Sequence, residues 1–253
     1  LPFICEVPGA DPAANRVLNE FPIAHGATLR TYRLALAATG EYTAAAGGTK
    51  LLAPSGMVAT INRVNGIYER ELAVRFMLLT GNASDPTALI YTNAASDPYS
   101  NFNGSTMLSQ NQATIDTVVG TANYDFGHVF STGGGGVASL GSVCQAGSKA
   151  RGVTGSPNPT GDGFDVDYVA HEVGHQFGGN HTFNGTSSNC GFGNRSGAHA
   201  AEVGSGSTIQ AYAGICGDEN LQPNSDDYFT FESLNEMTAF VTFGGGASCG
   251  TAT

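Results

Sequence analysis

Apolar and polar positions alternate along RTYRLALAA, so Thr31 to Ala38 predicts a strand, in which side chains two apart share a face. The period then lengthens. Between Pro54 and Arg70, Met57, Ile61, Val64 and Tyr68 recur at helical spacing, and Pro54 suits a first turn, where a missing N–H costs nothing. Glu71 to Leu79 reads as a second strand, ALIYTNA (Ala88 to Ala94) as a third, Met107 to Val119 as a second helix, and HVF from His128 to Phe130 as the start of a further strand. This alternation predicts an α/β (α+β) fold, a twisted mixed sheet with helices packed on it. No run approaches the roughly 18 apolar residues that a membrane span needs.

Charge narrows the partners. The 253 residues carry 21 acidic and 10 basic side chains, a formal net charge of −11, and lysine occurs only at positions 50 and 149. Neither nucleic acid nor an anionic membrane is an expected partner of such a chain. Its length allows one large domain or two modest lobes around a substantial core. It starts at Leu1 and shows no signal peptide, so a processed form is expected.

The segment HEVGHQFGGNH, His171 to His181, brings in the chemistry. Half of the chain's six histidines stand in it. On a helix, positions i and i+4 share a face, so His171 and His175 can offer imidazoles to one tetrahedral ion. Glu172 is one position out of register with them, which suits a carboxylate that takes a proton from zinc-bound water. A continuing helix would carry His181 away from the ion. The Gly178-Gly179 pair provides the turn that brings it back, since glycine readily takes positive φ and ends helices. The expected chemistry is hydrolysis by zinc-activated water with Glu172 as general base.

The long form H-E-x-x-H-x-x-G-x-x-H is the metzincin signature, and the chain resembles bacterial metalloproteases of the adamalysin, or reprolysin-like, branch. The similarity extends to LRTYRLALAATGEYT (Leu29 to Thr43), to INRVNGIYERELAVRF ending at Phe76, to NYDFGHVFSTGGGGVASLGSVC ending at Cys144 and to KARGVTGSPNP, covering about residues 29 to 240. It implies a zincin fold with an antiparallel edge strand, a long active-site helix and a smaller irregular C-terminal subdomain. It also implies a secreted, monomeric bacterial zinc endopeptidase acting on proteins or peptides. The expected organisation is an N-terminal segment, residues 1–28, followed by a catalytic domain over 29–253, divided into an upper part of about 29–181 and a lower part of about 182–253.

Further assignments follow from the same resemblance. None of the five cysteines forms a Cys-x-x-Cys pair, so disulfides are the better reading of them. Analogy pairs Cys144 with Cys249 and Cys190 with Cys216, each worth about 3–5 kcal/mol on the loop-entropy account. Cys5, in FICEVPGAD, faintly resembles the cysteine switch by which a propeptide thiolate occupies the zinc. Gly136, Val137, Ala138 and Ser139 would form the edge strand to which an extended substrate adds. Gln210 stands where the family carries the methionine that floors the site, and a buried amide there must find partners. Tyr212 matches a tyrosine whose hydroxyl approaches the metal in some branches, and Thr182 replaces the Asp common in adamalysins. The wall of the pocket for the residue after the scissile bond should come from residues after His181 and from the stretch following Gln210. Calcium is a second ion to consider, at Asp226-Asp227 or at Asp162, Asp165 and Asp167, although neither group has EF-hand spacing and acids at 165 and 167 also suit the start of the zinc helix. Two alternatives stand beside the open protease: a zymogen latched by Cys5, and a zinc-binding recognition module without proteolysis.

Overall fold

Strand β1 (Arg30–Ala38) is the centre of the fold in the computed structural model, which describes residues 28–253. Its alternation has a direct outcome. Tyr32, Leu34, Leu36 and Ala38 join one core cluster, while Ala35 and Ala37 join another on the opposite face of the sheet. A parallel strand buried on both faces needs apolar residues at successive positions, which LALAA supplies.

After a short α1 (Gly40–Ala45), the first core lies under α2 (Ala53–Leu72), which buries Met57, Ile61, Val64 and Tyr68 and carries a proline in its first turn. The helix overruns the expected strand start at Glu71. It ends only where Ala73 takes a left-handed conformation with φ 52°, and β2 therefore spans Val74–Leu79. The second core lies under α3 (Gly104–Val118), which starts earlier than Met107 because the Asn103 side chain caps the N–H of Thr106. β3 (Phe126–Ser131) likewise begins before His128.

The expected third strand, Ala88 to Ala94, is a correction. Only Ile90 makes a bridge, to Ala38 of β1. The neighbouring amides are spent on turns: the N–H of Ala88 donates to Asp85 O and that of Ile90 to Thr87 O, behind an Asx turn at Asn82. Ile90 fills the first core there and Leu89 the second, with Tyr91 packed against it, without a ladder.

The sheet runs β2-β1-β3-β5-β4, with β4 (Gly135–Ala138) and β5 (Gly152–Gly155) at one side. β1, β2, β3 and β5 are parallel, and β4 returns antiparallel as the edge. Ser139 lies just beyond β4 and donates its N–H to Arg151 O. A short α4 (Asp162–Phe164), a π-helical stretch (Asp165–Ala170) and α5 (His171–Gln176) follow one another without a break, so helical structure starts at Asp162, ahead of Asp165.

After His181 the chain is irregular, with single 3₁₀ turns at Ser188–Cys190 and Gly217–Glu219 up to Thr230. Then α6 (Phe231–Thr242) packs Met237 and Val241 into the first core, and β6 (Thr251–Ala252) pairs antiparallel with Arg30 and Thr31 of β1. The C-terminal residues thus complete the sheet of the upper part. Disulfides join Cys144 to Cys249 and Cys190 to Cys216. Cys5 lies outside the described residues. Among those residues, no helix is long and apolar enough to cross a membrane.

Candidate metal centre

α5 brings His171 and His175 onto one face, and the chain turns back at Gly178, whose φ is 91°, to return His181 beside them. The three Nε2 atoms stand 3.0, 3.0 and 3.3 Å apart. Tetrahedral zinc with Zn–N bonds of about 2.0–2.1 Å sets its nitrogens about 3.3–3.4 Å apart, so the donor set fits that ion.

The outer nitrogens determine which lone pairs converge. Each Nδ1 lies 2.6 Å from a backbone carbonyl: Ile209 for His171, Gly179 for His175 and Asn194 for His181. A carbonyl only accepts, so each Nδ1 carries the proton and each Nε2 presents a lone pair to the shared point. Burial keeps the rings neutral. It lowers the imidazolium pKa to about 4 for His171 and about 3 for His181, and well below the ordinary range for His175, with neighbouring imidazoles adding to the last two.

Glu172 is fully buried next to the ligands and faces the edge strand. A Cβ on Gly136 would lie 2.2 Å from Glu172 Oε1, so glycine at that strand position makes room for the carboxylate. Val137, pointing the other way, packs into the core beneath α3.

Gln210 lies beneath the ligand helix and is fully buried. Its Nε2 is 3.2 Å from Gly179 O and 3.2 Å from His175 Nδ1, while Oε1 has no hydrogen-bond partner. Gly174 admits the amide, since a Cβ there would meet Oε1 at 2.4 Å. An orphaned buried acceptor costs about 1–3 kcal/mol. Gln210→Met should therefore raise stability by about 1 kcal/mol, offset by the lost Gly179 contact, with zinc content unchanged. Urea unfolding of both chains checks this, and a less stable methionine variant would show that the amide contributes more than it costs.

The floor is braced by residues that sequence reasoning missed. Glu202 accepts from the Thr182 hydroxyl, from Thr208 Oγ1 at 2.7 Å and from the N–H groups of Ser207 and Thr208, tying the residue after His181 to the turn before Gln210. Thr182 thereby has a partner of its own where adamalysins carry Asp. Glu236 of α6 accepts from the N–H and Nδ2 of Asn180, at 2.9 and 2.6 Å, and fixes the approach to His181. Its spacing from Glu232 on an amphipathic helix was the available signal. His128 bonds Gln176 and Thr154 at 2.9 and 2.8 Å beneath α5, and burial lowers its pKa to about 4.

Tyr212 is buried, its ring 4.6 Å from that of His181 and stacked at 4.4 Å on Phe183. Four of the five acids considered for calcium have partners within the chain. Asp162 and Asp227 pair with Arg63, Asp165 accepts from Thr60 Oγ1, and Asp167 accepts from the N–H of Ser225.

The model of the family described as metallo-peptidase family M12B, reprolysin-like, matches residues 28–239. Among solved structures, the chain is similar to a chain of a chaperone–substrate complex (13% identity, TM-score 0.45, covering 83% of this chain and 34% of that one). It is also similar to metalloproteinase-II from Bacteroides fragilis (12%, 0.46, 83% and 53%) and to myroilysin (11%, 0.44, 95% and 91%). The chain thus spans about a third and about half of the length of the first two. No curated protein matches it.

Proposed function

The chain belongs to the reprolysin-like M12B metallopeptidases, and we propose that it is a zinc-dependent endopeptidase in which Glu172 is the general base. The observation that carries this reading is the convergence of three Nε2 lone pairs, each fixed by an Nδ1–H bond to a carbonyl, beside a fully buried carboxylate. When bound, zinc supplies a Lewis acid for the scissile carbonyl and lowers the pKa of water to about 7. Glu172 then accepts the proton of the attacking water and delivers it to the departing amine nitrogen.

β4 suits an extended substrate. It is a short edge strand, and the glycines before Val137 leave little bulk above the cleft. The ring contacts of Tyr212 support a role in holding His181, and approach of its hydroxyl to the carbonyl oxygen of the substrate belongs to the same proposal. Two disulfides support an oxidising compartment and hence secretion.

The strand and the base meet at Gly136, and that contact tests the reading. In Gly136→Ala, the added methyl would lie 2.2 Å from Glu172 Oε1 and 2.5 Å from its Cδ and Cγ, so the carboxylate must move. Casein cleavage should fall by at least about 100-fold, the lower end for loss of a general base, with zinc content unchanged. A variant that cleaves at the parent rate would remove Glu172 from this role.

A further inference from the structure

A cavity of about 150 Å³ opens beside His171, between the start of the ligand helix and the segment after Gln210. Asp167, Tyr168, His171, Ala211, Tyr212 and Pro223 are among its lining residues. Its size suits one side chain, since drug-sized ligands take about 300–1,000 Å³. Because His171 is both a candidate metal ligand and a wall of this cavity, a side chain entering it comes from a residue next to the bond held at the metal.

We propose that this cavity receives the side chain of a lysine or arginine flanking the scissile bond, with the Asp167 carboxylate as its counter-charge. The inference rests on the reading of the chain as a peptidase and adds the substrate class. Asp167 stands four residues before His171 on the same continuous helical segment, and both line the cavity. Its Oδ1 accepts from the N–H of Ser225 at 2.7 Å, and among the described residues it is in no ion pair. The arginines on neighbouring α2 are committed elsewhere, Arg63 to Asp162 and Asp227 and Arg70 to Glu71 and Asp227.

The carboxylate is thus a partly buried negative charge without a cation. Burial, with a contribution from Asp162, pushes its pKa up to about 6 against the lowering effect of the Ser225 bonds. An apolar side chain in the cavity would desolvate it further at a cost, and an acidic one would be repelled. A cation reverses both penalties. Its aliphatic stem can pack on Ala211, Ala213 and Pro223, with the Tyr168 and Tyr212 rings beside it. The net charge of −11 draws basic segments toward the protein.

Two matched peptides, one with lysine and one with norleucine beside the cleaved bond, test the proposal on the zinc-loaded full chain, after cleavage sites in a random peptide library have been mapped. Lysine or arginine should be enriched on one side of the cut. In Asp167→Asn, which keeps an acceptor for Ser225, the lysine-over-norleucine ratio of kcat/KM should fall at least about tenfold. Binding gives a readout without turnover: by calorimetry, Glu172→Gln should hold the lysine peptide at least about tenfold more tightly than the norleucine peptide, and Glu172→Gln/Asp167→Asn should not. Cleavage without basic enrichment, or a ratio that Asp167→Asn leaves unmoved, overturns the proposal and leaves the peptidase standing. A chain that binds the lysine peptide selectively but cleaves nothing overturns the peptidase and leaves the cavity's preference.

Discussion

Glu172→Gln should lower peptide hydrolysis by about 10²–10⁴-fold, the range expected for loss of a general base, and leave one zinc per chain. The amide matches the carboxylate in shape but cannot accept the proton of the attacking water. The three Nε2 donors and their carbonyl partners are untouched by the change, so metal binding and turnover separate. At about 1.4 kcal/mol per tenfold, the loss corresponds to about 3–5 kcal/mol of barrier. Steady-state cleavage of a fluorogenic peptide, with zinc measured on the same sample, checks it. Hydrolysis at the parent rate would mean that another group handles the proton.

Removing the metal should have an effect of similar size on stability. Zinc at about 1,000 times its dissociation constant stabilises the state that binds it by about 4 kcal/mol. Without a cation, three neutral imidazoles with Nε2 atoms 3.0–3.3 Å apart turn lone pairs toward one another. For a domain of this size, about 2–4 °C of Tm accompanies each kcal/mol, so a chelated chain should melt about 8–16 °C lower. Scanning calorimetry before and after 1,10-phenanthroline measures this. An unchanged Tm would show that the histidines do not hold an ion in the folded chain.

The ligand set was legible because its logic is local. His171 and His175 share a helical face, and Gly178 reverses the chain for His181, all within eleven residues. The period-2 pattern of β1 and the helical pattern of α2 were legible for the same reason, since each buries the face that its repeat marks. Ala88 to Ala94 misled because the apolar β-formers there meet β1 in a single bridge at Ala38, whose N–H donates to Leu89 O and whose carbonyl accepts from Tyr91, while Ala88 and Ile90 spend their amides on turns. The ends of α2 and α3 depended on a left-handed residue at Ala73 and an Asn103 cap, which hydrophobic periodicity does not encode. The bracing of the site is non-local. Asn194 O, Ile209 O and His128 reach it from 13 to 48 residues away, and nothing in their own neighbourhoods marks them. Asp167 was visible as a helix-start acid, but its place in a cavity beside His171 follows only once Pro223 to Ser225 fold back over it.

On the proposed reading, one ion held by His171, His175 and His181 makes this chain a peptidase. The most direct test is to strip the purified chain of metal and titrate zinc back while following peptide cleavage. No cleavage is expected at the start, followed by a rise proportional to added zinc and saturation at one zinc per chain. Cleavage by the stripped chain, or a zinc-saturated chain that leaves every peptide intact, would contradict it.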